Sequence, residues 1–426
     1  MRVMFTLLPA TAHLYPVVPL AWALKSAGHE VCVVSQPDLV GPVTAAGLTA
    51  VGLGEPLDHT PKAAEDEAQE AESEQPPQWD NVVPPESRAH LWDFFHRRIL
   101  PALPFYYPAE PSPGGDVTFT DELVAFARRW QPDLVLWDPA CIPSPIAARA
   151  VGAAHARLLW GLDYFAWSRT LFAPGEDPLT SVVRPLARRH GYEVDEELLL
   201  GQWTVDPVPP RLALPLGLPT VPVRMIPYNG GSEIPQWLLE EPRRPRVCVS
   251  LGVTTRERSK EGHIPLVELL QGLAELDAEL VVTANAQQLA SLGTLPENVT
   301  AIDYVPLTLL LPSCAAILHH GGGGTFTAAV THSVPQLIAP GVQGDFLDTA
   351  RYVEERGAGL VVDTPRFTVA AVRDQLDRIL TEPGFREGAT LLRQDLLDQP
   401  GPADIVAELE RRTALRRDRE GTGLAA

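Results

Sequence analysis

Two stretches hold residue types that can do chemistry. Residues 318–325 read Leu-His-His-Gly-Gly-Gly-Gly-Thr, between the apolar run Cys314–Leu318 and a helix-like Phe326–His332, with strand-like Val334–Pro340 beyond. Glycines allow positive φ, and they leave peptide N–H groups bare at a helix start, where unpaired donors and the macrodipole favour an anion. Thr325 adds a hydroxyl and His320 an imidazole. His320, Gly322, Gly323, Gly324 and Thr325 are therefore read as a diphosphate cradle; the glycines alone would fit a plain turn equally well, and the histidine before them favours the anion. The second stretch is His13, just past the apolar run Val3–Leu8, taken with Asp138, which directly follows Asp133–Trp137. Imidazole has an ordinary pKa of about 6.5 and suits a general base at neutral pH, and a carboxylate can orient it. Local sequence leaves open that His13 only bridges a loop and that Asp138, before Pro139, only forms a turn.

The elements around these residues alternate strand and helix. Val3–Leu8 reads as a buried strand, the apolar spacing of Val17, Leu20, Ala21 and Leu24 as a helix over 16–26 stopped by Gly28, and Glu30–Ser35 as the next strand. A βαβ unit of this kind builds a parallel sheet. Its first turn lacks G-x-G-x-x-G, so a dinucleotide fingerprint is missing where that fold needs one. Asp121–Trp130 (helix), Asp133–Trp137 (strand), Pro145–Val151 (helix) and His155–Gly161 (strand) continue the series. A second series has strands at Arg246–Ser250, Glu279–Thr283 and Val299–Tyr304 and a helix at Pro265–Leu276, and ends in the glycine turn. The resulting expectation is an α/β protein of two Rossmann-like domains facing a ligand cleft, 1–214 and 246–408, joined by a proline-rich linker 215–245 and followed by a C-terminal tail 409–426, with a weakly periodic helix ending the chain and Arg411–Glu420 read as solvated. The acidic stretch Ala63–Glu74 reads as a solvated loop, and the aromatics of Leu91–Phe95 and Phe105–Tyr107 either line an acceptor cleft or pack as core.

Global properties exclude several classes. A formal net charge of −20 opposes nucleic-acid binding and docking on an anionic membrane. The four cysteines, Cys32, Cys141, Cys248 and Cys314, show no C-x-x-C spacing, which fits reduced thiols in a cytoplasm. No apolar run approaches membrane-spanning length, and the short apolar start is interrupted by proline and histidine too early for a signal peptide.

The chain resembles glycosyltransferases of the GT-B fold, in particular the bacterial antibiotic branch that transfers deoxysugars from dTDP donors. The residues carrying the likeness are His13-Leu14-Tyr15-Pro16 with Ala27-Gly28-His29-Glu30-Val31, Trp137-Asp138-Pro139, His155–Gly161, Gly201–Pro207, Arg246–Gly252, and His319–Thr325 with 341–359 beyond. The Trp-Asp-Pro and Gly-Gln-Trp-Thr stretches look like the subgroup that works on polyketide aglycones with a separate activator of haem-monooxygenase-like fold. Family likeness also implies a homodimer.

The resemblance implies an inverting transfer in which His13, oriented by Asp138, deprotonates an acceptor hydroxyl while the diphosphate leaves onto the cradle. It places Ser250, Gly252 and Thr254 near phosphate, although a plain turn fits them too, and the Val305 backbone at the thymine edge, where a strand end is nearly as good a reading. Many relatives carry an Asp-Gln pair for sugar hydroxyls; here it is Asp345-Phe346, which suits a less hydroxylated sugar. Plant relatives carry a ribose-binding Glu where Ala328 stands, and dTDP, lacking the ribose 2′-hydroxyl, would not need it. No D-x-D pair is present, so no metal or other cofactor is expected. A GT-B nucleotide-sugar epimerase and a non-catalytic nucleotide-sugar-binding subunit remain the alternatives.

Overall fold

The computed structural model describes residues 1–57, 79, 82–111, 115–250, 266–284, 289, 292–341 and 344–423, with side chains up to 416 in the last segment. The acidic stretch 63–74 lies outside the described residues. Every strand pairing is parallel, as the βαβ reading requires. In the first sheet the strands are β1 (Arg2–Thr6), β2 (Glu30–Ser35), β3 (Thr49–Gly52), β4 (Leu134–Trp137), β5 (Ala154–Leu158), β6 (Trp203–Asp206) and β7 (Thr220–Pro222), in the spatial order β3-β2-β1-β4-β5-β6-β7. The second sheet contains β8 (Arg246–Ser250), β9 (Glu279–Thr283), β10 (Val299–Ile302), β11 (Cys314–His319), β12 (Gln336–Ile338) and β13 (Gly359–Val361), in the order β10-β9-β8-β11-β12-β13. Helices cover both faces of such sheets, which is why strands such as Leu134–Trp137 are apolar and buried throughout.

Strand order is what positions the chemistry. Successive crossovers run outward from β1 in one direction and from β4 in the other, and the same reversal falls between β8 and β11. At such switch points the connections diverge and leave a crevice at the carboxyl ends of the strands. His13 follows β1 and Asp138 follows β4; Ser250 ends β8 and the glycine turn follows β11.

The compact units are Met1–Arg224 with Pro400–Ala426, and Met225–Gln399. Two boundaries expected from sequence therefore move. Part of the 215–245 segment read as linker is β7, whose Thr220 and Val221 pair with Thr204 and Val205. The helix expected at the end of the chain is present as Val406–Gly423, but it packs on the first unit where residues 411–420 were expected to be solvated. Val406, Leu409 and Thr413 form its buried stripe, the Arg412 guanidinium lies over the Trp203 ring, Arg416 pairs with Glu197, and Glu410 meets His29. Charge density hid this stripe, because long arginine stems cover apolar surface while their heads stay wet.

Of the two readings of the aromatic stretch, core packing holds for most of it. Leu91, Trp92, Phe95, Leu103 and Tyr107 are buried in the first unit's core, while Phe105 is 45 % exposed. A helix (Ala89–Phe94), a π-helical turn (Phe95–Ile99) and a second helix (Leu100–Tyr106) turn one face of the stretch inward.

Two motifs quoted for the family likeness meet at one buried cation. Arg157 of β5 is fully buried and donates to both Asp163 carboxylate oxygens (2.9 and 2.7 Å), to Thr204 Oγ1 (2.9 Å) and to the Leu200 carbonyl (2.8 Å). Asp163 also accepts the Ala166 N–H at 3.0 Å, capping the helix Tyr164–Arg169. Gly201 is required beside this knot: its φ is +73°, and a Cβ would lie 3.1 Å from the Trp203 carbonyl oxygen. Removing one partner leaves the guanidinium buried without its counter-charge, which typically costs about 3–5 kcal/mol. Asp163→Ala is thus expected to lower the unfolding free energy of the first unit by that amount in urea titrations at pH 7; an unchanged midpoint would show that the pair is dispensable.

Candidate active site

In the first unit, His13 and Asp138 are brought together. His13 sits on a one-turn helix, Thr11–Leu14. Its Nδ1 lies 2.5 Å from Asp138 Oδ2. Asp138 is 1 % exposed, yet its carboxyl is held below its ordinary pKa. Burial pushes the value up; the neighbouring His13, the Ala140 N–H (2.8 Å to Oδ1) and the Trp160 indole N–H (3.1 Å to Oδ1) together outweigh it. The Leu8 N–H adds a long contact of 3.4 Å to Oδ2. An ionised carboxylate only accepts hydrogen bonds, so the His13 proton resides on Nδ1 and Nε2 keeps its lone pair. With its side chain 16 % exposed, the imidazole can be reached by an acceptor.

Trp160 was not singled out from sequence as a functional residue. Beyond its bond to Asp138, its ring packs against the His13 imidazole, with centroids 4.7 Å apart and planes at 61°. The available signal was position: it stands just past β5, the strand beside β4, at the edge where Asp138 also emerges.

In the second unit, the glycine turn forms the start of a helix, Gly323–Thr331, earlier than the Phe326 expected. The four glycines have different jobs. Gly321 alone has positive φ, +98°, and a Cβ there would press on Phe346 at 3.0 Å. Gly322 is extended, and a Cβ on it would collide with His320 Nε2. Gly323 and Gly324 are helical, and a Cβ on Gly324 would meet nothing within 4 Å, so its surface is open. The first intrahelical bond runs from the Phe326 N–H to the Gly322 carbonyl at 2.9 Å. The N–H groups of Gly323, Gly324 and Thr325 therefore precede the helical ladder and are the anion donors such a start supplies.

His319, buried behind the turn, fixes it. Its Nδ1 accepts the Gly321 N–H at 3.1 Å, so its proton sits on Nε2, 2.9 Å from Gln336 Oε1. Burial, reinforced by the charge of His320, pushes its pKa down to about 3. His320 is 9 % exposed and packs edge-on against Phe346 at 5.1 Å.

The remaining candidates distribute as follows. Ser250, at the end of β8, is buried, accepts the Thr283 hydroxyl at 3.1 Å, and lies in register with His319. Gly252 and Thr254 lie outside the described residues. Val305 is buried past β10 and clusters with Ala328 and Ala329 of the helix Gly323–Thr331, so its side chain is core. Asp345 precedes the helix Phe346–Glu355 without making a side-chain cap bond. Phe346, expected at a sugar-binding position, packs its ring edge-on against the His320 imidazole and leaves no room for a side chain at Gly321.

Comparison with known proteins is consistent along the chain. The N-terminal domain model described as "Erythromycin biosynthesis protein CIII-like" matches residues 22–252, and its C-terminal counterpart matches 267–411. The aclacinomycin-T 2-deoxy-L-fucose transferase of Streptomyces galilaeus is 43 % identical, over 99 % of each chain. The 10-deoxymethynolide desosaminyltransferase of Streptomyces venezuelae is 42 % identical, over 98 % of each. Among solved structures, the glycosyltransferase VinC in complex with dTDP superposes with a TM-score of 0.83 at 38 % identity, covering 97 % of this chain and all of that one.

The neutral His319 generates a pH prediction. Its folded value, about 3, lies below the unfolded value of about 6.5. Between these values the unfolded chain binds a proton that the native chain does not, so stability falls as pH falls from 6.5 towards 3 and is flat above. Urea unfolding of the second unit at pH 7.0, 5.5 and 4.5 should show this loss, up to about 1.4 kcal/mol per pH unit from this group. His319→Gln should flatten the slope; an unaltered slope would mean that another group carries it.

Proposed function

We propose, for a chain that belongs to the erythromycin biosynthesis protein CIII-like family and is a glycosyltransferase of the GT-B fold, an inverting transfer of a deoxysugar from a dTDP-sugar to a hydroxyl of a polyketide antibiotic aglycone. The observation carrying the mechanistic part is the His13–Asp138 pair, with its Nδ1 proton held by an ionised carboxylate and Nε2 left basic. In this mechanism Nε2 takes the acceptor hydroxyl proton as the oxygen attacks the anomeric carbon. Asp138 stabilises the imidazolium that forms, as the third member of a triad does. The C–O bond to the diphosphate breaks in the same displacement. Negative charge growing on the leaving group is met by the N–H groups of Gly323, Gly324 and Thr325, the Thr325 hydroxyl and His320. The positive field comes from these groups, and the proposal assigns no metal.

The donor assignment draws on the relatives named for deoxysugar transfer and on the neighbour solved with dTDP. Phe346 in place of an amide also removes a polar reader of sugar hydroxyls, which suits a deoxygenated sugar. Likeness to the activator-using subgroup adds the expectation that a haem-monooxygenase-like partner raises turnover, and family likeness adds a homodimer. The aromatic stretch Leu91–Tyr107 is largely core, so the assay separates a transferase from an epimerase of the same fold.

Mixing the protein with a dTDP-deoxysugar and a polyketide aglycone, with and without activator, should yield glycosylated product. Epimerised sugar or no reaction would favour the isomerase or the non-catalytic subunit. Base catalysis of this kind is typically worth ~10²–10⁴-fold. His13→Ala should lose turnover on that scale while the thermal shift given by dTDP stays within error; undiminished turnover rules out the base. The same thermal-shift titration should rank dTDP above UDP, and the reverse order would overturn the donor assignment.

A further inference from the structure

We propose that Trp160 is a positioning residue for the proton-accepting imidazole, acting through Asp138 and through its own ring; this rests on the reading of His13 as the base. The two carboxylate oxygens of Asp138 are differently employed. Oδ2 faces His13 Nδ1 at 2.5 Å, and Oδ1 takes the Ala140 N–H at 2.8 Å and the Trp160 indole N–H at 3.1 Å. The indole is the one side-chain donor on Oδ1 among these bonds, and it arrives from beyond β5, so it ties the carboxylate to a third strand end. With its planes at 61° to the imidazole and centroids 4.7 Å apart, the Trp160 ring also limits how far His13 can swing away from Oδ2. The indole itself is fixed from behind: it meets Tyr164 at 5.7 Å, and Tyr164 packs on Phe94, Phe95 and Phe165.

Loss of the indole N–H has a definite electrostatic sign. A carboxylate with one donor fewer presents more negative charge to its remaining partner and so holds the imidazolium more tightly. The His13 titration midpoint should therefore rise. Other ionisable groups near Asp138 do not confuse the reading. Cys141 is pushed up to about 12 by burial and Tyr107 well above its ordinary value, also by burial, so both stay neutral across the working range. Asp138 is the acidic partner facing His13.

The test uses the full chain without substrate. Protein labelled with ¹⁵N-histidine is titrated by NMR from pH 5 to 9, with His13→Ala identifying the resonance. Trp160→Phe, which keeps an aromatic face and removes the N–H, should move the His13 midpoint upward relative to the wild-type chain. A natively folded variant with an unchanged or lowered midpoint overturns the proposal. Should that variant not fold, ¹⁵N-tryptophan labelling of the wild-type chain decides instead. One of its nine indole N–H signals should move with pH at the His13 midpoint, and a spectrum in which none does so overturns the proposal. Neither readout needs transfer to occur, so a failed glycosylation assay would contradict the function without touching this result.

Discussion

A negative charge kept almost wholly out of water is the constraint around which the first unit is arranged. Burial alone would drive the Asp138 carboxyl towards its neutral form, and neutral it could no longer fix the His13 tautomer. It stays ionised because donors converge on it from separate elements: the turn after β1, the residues after β4, and the indole beyond β5. These elements meet there because β1, β4 and β5 are neighbouring parallel strands whose carboxyl ends share an edge. Sheet order thus determines which nitrogen of one imidazole faces the carboxylate.

The second unit applies the same topology to the opposite charge. In the proposed mechanism no cationic side chain is needed in the turn after β11, since a helix start presents N–H groups already oriented towards an anion. What the sequence must supply is close approach of backbone, and each glycine serves that differently. Gly321 bends the chain, Gly322 leaves space for the His320 ring, and Gly324 keeps the outer surface bare. His319 and Phe346 hold the turn and the imidazole from behind.

Much of this was legible in the sequence because strand ends are legible. Glu30–Ser35, Arg246–Ser250 and Glu279–Thr283 stand as read, and His13, Asp138 and the glycine turn were picked out because each follows an apolar run at the edge where α/β sheets do chemistry. Apart from His13 and Asp138, residues whose role depends on a partner distant in sequence were not. Trp160 is recognisable as an aromatic near a strand end, but its bond to Asp138 depends on β4 and β5 being neighbours. The same holds for Arg157, where Leu200, Thr204 and Asp163 converge, and for the terminal helix, whose stripe of Val406, Leu409 and Thr413 is diluted by arginines and glutamates. Polar composition suggested solvent there; the partner surface on the first unit decided otherwise.

The central claim is a single displacement: a hydroxyl made nucleophilic by His13 attacks the anomeric carbon as the diphosphate departs. Its most direct test is the anomeric configuration of the glycoside formed from a donor of known configuration, read from the anomeric proton and carbon couplings in NMR of the product. The account predicts inversion. A product that retains the donor's configuration would contradict it, because retention requires either two successive displacements through a covalent intermediate or attack on the same face, and a single in-line displacement gives neither.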